Sequence, residues 1–399
     1  MDKRKLGLLP RLILGILAGI AVGLWAPVPV VRLLATFEGI FGNFLGFVVP
    51  LIIIGFIVPG IADLGMGAGR LLALTAGLAY GSTVLAGSFA YVVDVAVFPR
   101  ILNLTQETFD LLAREGASVE PFLRLEIPPM MEVMTALVLS FVLGLGIAAF
   151  RAEQMRGLFS EFQRIVTGVI ARVILPLLPF YVAGVFADMA YAGTVFSILG
   201  VFAKVFALVL CLHVSIMLVQ YLLAGLAAGK NPLRLLRTML PAYATAIGTQ
   251  SSAATIPVTL QSARKNGVAE RVADFVVPLC ATIHLAGSTI TLTSCSLAIC
   301  MIFGLEYGFF SLYLPFILML GVTMVAAPGV PGGAVMAALG LLSTMLGFSD
   351  SLCTLMIALY LAQDSFGTAC NVTGDGAIAL LVDAFIRRGR ASASAAAET

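Results

Sequence analysis

The sequence predicts an all-α polytopic membrane protein with eight transmembrane helices and two opposed re-entrant helical hairpins, and three observations predict it. Of 399 residues, 60% are hydrophobic and only 11% are charged, with a mean hydropathy of +1.06. Two of the apolar segments are interrupted at their middles by small, polar or proline residues. The basic residues, finally, fall in loops that a single threading of the membrane keeps on one side. At about 20 apolar residues per span, the chain has room for eight to ten spans and almost no soluble domain. The formal net charge of +2 is too small for a nucleic-acid partner, so the large partner is the lipid bilayer. Six cysteines (Cys211, Cys280, Cys295, Cys300, Cys353, Cys370) lie in apolar segments without metal-ligand spacing and read as packing residues.

The N-terminal Met1-Asp-Lys-Arg-Lys5 precedes an apolar run that continues to about Pro27 without a small-residue cleavage site, so it reads as a retained first span. Apolar segments follow near 6–26, 38–62, 71–98, 130–150, 160–190, 195–228, 272–304 and 351–386. The two interrupted segments are 239–262, broken at Thr249-Gln-Ser-Ser-Ala-Ala-Thr-Ile-Pro257, and 311–346, broken at Ala327-Pro-Gly-Val-Pro-Gly-Gly333. Each half is too short to span, as in re-entrant hairpins, although a kinked full span would also account for either segment alone. Charge separates the two. With the N-terminus cytoplasmic, Arg70, Arg151 with Arg156, and Lys230 with Arg234 and Arg237 all fall inside. Arg264, Lys265 and Arg271 join them only if 239–262 enters and leaves on the cytoplasmic side. Arg387, Arg388 and Arg390 then return inside, and both termini are cytoplasmic. The outer loop 99–128 holds five acids against three arginines.

Near the C-terminal end, Asp364, Thr368, Asn371 and Asp375 recur at offsets of 4, 7 and 11, which fall within roughly 60° on a helix. Two carboxylates at membrane depth are retained only where their face lines a cavity or holds a cation. Asp94, Asp188 and Lys204 lie near predicted span ends, where snorkelling or subunit contacts suffice. His213 has only Ser215 and Gln220 as polar company in its span and reads as a packing residue.

These residues resemble those of the dicarboxylate/amino acid:cation symporters, the family that includes the glutamate transporter homologues. Ser251-Ser-Ala-Ala-Thr-Ile-Pro257 looks like its serine-rich first hairpin tip, Gly329-Val-Pro-Gly-Gly333 like its second, and Asp364 through Asp375 like its last-helix signature. The likeness covers essentially the whole chain and is strongest from 241 to 385. It implies a homotrimer in the bacterial inner membrane that moves substrate by an elevator motion. It divides the chain into scaffold helices one and two (1–70), helix three and an outer loop (71–128), helices four to six (129–228), a transport core (229–386) and a cytoplasmic tail (387–399). Within the core it places hairpin one at about 239–262, helix seven at about 272–304, hairpin two at about 311–346 and helix eight at about 351–386. Substrate and cations would lie between the hairpin tips and broken helices seven and eight.

Carried over by position, the resemblance implies that Asp364 holds a substrate amino group and that Asn371 donates to its carboxylate. Ser251, Ser252, Val330 and Gly332 would complete the carboxylate site, and Thr368 would line it. Asp375 and Asn371 would ligate sodium, with backbone carbonyls of Cys280 and His284, and Thr282 would mark a possible second sodium site. No organic cofactor is implied.

Three departures shape the expected substrate. Gly367 stands where acidic-substrate members carry an arginine, so an acidic side chain would be uncompensated and a neutral amino acid is expected: serine, threonine or alanine. Gln250 replaces a second arginine found in some members. In helix seven the family's Asn-Met-Asp-Gly-Thr reads His284-Leu-Ala-Gly-Ser288, which removes a carboxylate at Ala286 and argues for fewer than three sodium ions. His284, one of two histidines, is a possible proton carrier or cation surrogate as well as a neutral core histidine. Alternatives of the same fold are an acidic amino acid, a C4-dicarboxylate or cystine as substrate, with proton coupling. Ser251 or Ser252 with His284 and Asp364 also supply the residue types of an intramembrane serine hydrolase, but no Gly-x-Ser-x-Gly turn holds the serine, and the reading is of a transporter, not an enzyme.

Overall fold

The computed structural model describes residues 8–66, 70–102, 119–193, 195–325, 327 and 332–397. Gly329 and Val330, at the second predicted tip, lie outside them. The described chain is helical, with no strand. In order the elements are α1 (Leu8–Trp25), α2 (Val28–Met66), α3 (Arg70–Ile101), α4 (Val133–Phe150), α5 (Glu153–Val169), α6 (Leu175–Tyr191) and α7 (Val195–Ala228). The remainder are α8 (Pro232–Thr238), α9 (Leu240–Thr249), α10 (Ser252–Lys265), α11 (Glu270–Ile283), α12 (Ala286–Ile302), α13 (Leu314–Val325), α14 (Gly333–Leu346) and α15 (Asp350–Ala397).

Among the described residues, six helical runs are long and apolar enough to cross a membrane: 28–62, 71–101, 153–191, 199–228, 270–302 and 350–387. Shorter apolar helices cover 10–25, 138–150, 309–325 and 333–346. The second helix begins at Val28, about ten residues before the apolar run centred on 38–62, and carries Pro50 and Pro59 inside its 39 residues. Large apolar side chains are exposed at helical spacing, as at Val214, Leu218, Leu222 and Leu226 of α7. Such a stripe is what a lipid-facing surface requires. The protein is a multi-pass membrane protein.

Small residues set the helix contacts. Gly15, Gly19 and Gly23 repeat every four residues on α1, and a Cβ on each would overlap the carbonyl of Pro179, Ala183 and Ala187 respectively on α6. The pairs rise together, so the two helices run parallel with their backbones touching, the small-residue packing of membrane helices. α5 enters α6 through one wide turn, Ile170–Ile174, just before Pro176 and Pro179, whose missing N–H groups leave carbonyls that a regular turn would pair.

The predicted interruption at 249–257 is a break at Gln250–Ser251, with Gln250 in the left-handed region (φ 53°). Ser251 caps α10, its Oγ accepting from Ala254 N at 3.3 Å. α9 and α10 fold back on one another, as do α13 and α14. At the open end of the first pair, Lys230 Nζ donates to Asn266 O (2.6 Å) and Arg387 donates to Gly267 O (3.1 Å). The start of α8, the end of α10 and the basic end of α15 therefore meet at one end of the molecule.

Two helices form the centre. All 17 residues of α12 are buried, and α15 is buried over most of its length from Leu352 to Ala384. The chain breaks between α11 and α12 at His284 and Leu285, both outside helical geometry. α15 has no corresponding break: the resemblance implied a broken eighth helix, and here it is continuous from Asp350 to Ala397. The charges expected near span ends also separate. Lys204 is exposed and caps Ile101 O, and half-buried Asp188 accepts from Val119 N. Asp94, by contrast, is wholly buried and does not snorkel.

Candidate functional site

The predicted polar face of α15 points at the break between α11 and α12. α12 starts without a side-chain cap of its own, leaving its first N–H groups unpaired within the helix. Asn371 supplies what is missing: its Oδ1 accepts from Gly287 N (2.8 Å) and Ser288 N (3.3 Å), and its Nδ2 donates to Ser288 Oγ (2.9 Å). The amide expected to meet a substrate carboxylate thus holds the broken helix against α15. Close approach is needed here, since a Cβ at Gly287 would stand 2.5 Å from Gly367 O. Gly367 itself is not forced by packing. A Cβ there would meet Ser288 N and Thr291 Oγ1 at 3.6 Å, ordinary contacts.

Asp364 is buried, and its Oδ2 accepts from Gly332 N at 2.7 Å. Gly332 is the N-cap of α14 with φ 74°, so the carboxylate sits at the positive end of that half-helix. Tyr360 and Thr368, a turn to either side on α15, lie against the same carboxylate. Tyr360 donates to Ser288 Oγ (2.9 Å), tying this part of the site to the Asn371 cap. From the first hairpin, Gln250 Nε2 donates to Ser365 Oγ (2.8 Å), and Ser252 is buried in the first turn of α10. Val330 lies outside the described residues.

About three turns along α15 from Asp364, Asp375 is buried with His284: Nδ1 and Oδ1 are 3.0 Å apart. The other ring nitrogen of His284 lies 3.1 Å from Ser82 Oγ on α3, which also accepts from Gln220 Nε2 of α7 (2.9 Å). The resemblance assigned His284 a backbone carbonyl role, whereas the structure turns its side chain onto the predicted sodium carboxylate. Cys280 is buried beside it, and its carbonyl accepts His284 N (2.9 Å). Thr282 stands apart: it is exposed, donates to Leu279 O, and lines a cavity of about 1150 Å³ with Ile283, Val325 and Ala327. His213, expected only to pack, places Nε2 3.0 Å from Gly287 O and 3.3 Å from Thr291 Oγ1. Its polar company comes from α12, 74 residues away, which no spacing within its own helix reveals.

The arrangement is a polar seam through an apolar protein, running from α3 and α7 through the broken helix to α15 and the end of α14. Half-helix ends and buried carboxylates gathered along one seam suit a zwitterion and a hard cation. A hydrolase constellation is not assembled: His284 is bonded to Asp375 and Ser82, Ser251 Oγ serves as a cap, and Asp364 faces Gly332.

Residues 8–385 match the sodium:dicarboxylate symporter family. The chain belongs to that family. The symporter is also similar to proteins named serine/threonine transporter SstT from two strains of Acinetobacter baumannii, at 26% identity over 395 residues, covering 95% of this chain and 97% of each relative. It is a transporter, not an enzyme. Within the symporter, Tyr360, Ser288, Gln220 and Ser82 join the polar seam by hydrogen bonds that the sequence reading did not anticipate. Tyr360 was within reach, one turn before Asp364 on the same face, but its bulk reads as core until its hydroxyl is seen to have a partner.

Proposed function

We propose that this chain is a sodium-coupled symporter of small neutral amino acids, serine and threonine first. The observation that carries the proposal is Asp364 beside Gly367: a buried carboxylate held by neutral donors, one turn from a position that offers no cation. Such a carboxylate fits an α-ammonium group, which replaces the Gly332 N–H or adds to it. A second substrate carboxylate in the same desolvated space would be uncompensated, at a cost of several kcal/mol. The names of the Acinetobacter relatives support the same substrate class.

In this reading the chain threads the membrane eight times, with α9–α10 and α13–α14 as opposed re-entrant hairpins in a bacterial inner membrane. The meeting of Lys230, Asn266 and Arg387 at one end supports the return of the first hairpin to the side it entered from. Sodium binds first near Asp375 and the carbonyls around Asn371, Cys280 and His284. It orders the seam, and the amino acid then engages Asp364, with its carboxylate at the tips formed by Ser251, Ser252 and residues 329–332. Closure of the second hairpin releases the loaded core to move as an elevator within a homotrimer; light scattering that finds a monomer would remove that last element. Cation and substrate favour the same closed state, so each raises the affinity of the other.

The test is uptake into proteoliposomes across the amino acids, with sodium, potassium and proton gradients applied separately. Serine or threonine should lead under a sodium gradient. Aspartate, cystine or a C4-dicarboxylate in first place would overturn the substrate assignment, and uptake driven by protons alone would overturn the coupling.

A further inference from the structure

Among the described residues, nine buried side-chain polar atoms have no hydrogen-bond partner. Six of them belong to one seam between α3, α12 and α15: both oxygens of Asp94, the hydroxyls of Thr289, Thr293 and Ser294, and Oε1 of Gln363. Orphaned polar atoms are rare in folded proteins, and several along one helix seam indicate a missing partner. The seam is separate from the Asp364 and Asp375 contacts. Asp94 is 0% exposed, and Ser294 lies against its carboxyl. Gln363 Nε2 donates to Cys295 Sγ (3.3 Å), which places the amide beside the Ser294–Cys295 turn with its oxygen unused. Gly87, two turns before Asp94 on the same face of α3, brings the α3 backbone onto the threonines. A Cβ there would stand 2.9 Å from Thr289 Cγ2 and 3.4 Å from Thr293 Oγ1.

We propose that this seam is a sodium site, with Asp94 as the anionic ligand and Ser294 and Gln363 as neutral oxygen ligands. Hard cations take oxygen donors, and a carboxylate in hydrocarbon needs a balancing charge. A proton on Asp94 would balance the charge but pair with one neighbour only, leaving most of the orphaned oxygens as they are. A cation uses several together. Thr289 and Thr293 continue the row of buried hydroxyls along α12 toward Ser288. The site rests on the sodium coupling proposed above and adds an ion to it.

The experiment counts bound ²²Na⁺ per protomer on the purified protein without substrate and repeats the count with serine. Asp94→Asn should lower the count by one, with the Asp375 site still occupied. Ser294→Ala should keep the count and raise the half-saturating sodium concentration about tenfold. A wild-type count retained in Asp94→Asn overturns the site. If Asp94→Asn does not fold, Ser294→Ala decides, and an unchanged sodium affinity there overturns the site. Serine reads the transport proposal separately: a wild-type protein whose sodium affinity is unmoved by any neutral amino acid overturns that proposal and leaves the Asp94 count to stand.

Discussion

At the scale of single residues, the proposed function makes the Asp364 carboxylate the group that meets the substrate. Its bond to Gly332 N holds α14 against α15, and in that proposal an α-ammonium group competes for the same oxygens. Asp364→Asn keeps the shape and removes the charge, so serine affinity should fall about 10- to 100-fold while sodium stabilisation persists. Isothermal titration with serine at saturating sodium measures this, and unchanged affinity would remove Asp364 from the site. His284 bears on the cation instead. His284→Ala leaves Asp375 buried without its partner, which should destabilise the sodium-free protein by about 3–5 kcal/mol. Sodium should recover more of the melting temperature in this variant than in the wild type, as a thermal-shift series would show. The carboxylates were legible because helical spacing inside hydrocarbon exposes them. Their partners were not: His284 and Asp375 are 91 residues apart and meet only through packing.

At the scale of elements, the same limit takes another form. The break at Gln250–Ser251 is written locally, in a run of small and polar residues that ends in Pro257. The break at His284–Leu285 carries no proline or glycine of its own. It persists because Asn371 caps the new helix and Gly287 admits α15, both properties of a distant partner. The last helix is continuous where the resemblance implied a break, and it carries Asn371, whose hydrogen bonds end on the first residues of α12. The α1–α6 pairing offers a direct test of backbone contact. Gly19→Leu forces a side chain into Ala183 O and should cost at least about 1–3 kcal/mol, read as a lower melting temperature in detergent. Gly39→Leu on α2, where a Cβ meets nothing within 4 Å, is the matched control and should leave it unchanged.

At the scale of the whole molecule, topology follows from where the chain returns. If α9–α10 crossed the membrane as one kinked span, Arg237 and Lys265 would lie on opposite faces, and the basic residues of 264–271 would sit with the acidic outer loop. Lys230 instead reaches Asn266, and Arg387 reaches Gly267, so the residues flanking the hairpin share one end with the basic end of α15. Those side chains are too short to bridge a hydrocarbon layer of about 30 Å. Cysteines placed singly at Arg237, Lys265 and Arg387 in a cysteine-free background should therefore all react with a membrane-impermeant maleimide from the cytoplasmic face, while one at Glu120 reacts from outside. Labelling of Lys265→Cys from the outer face would convert the hairpin into a span. It would also place the Ser251 tip and the Asp364 site on different paths through the membrane, and the shared substrate cleft would be lost with it.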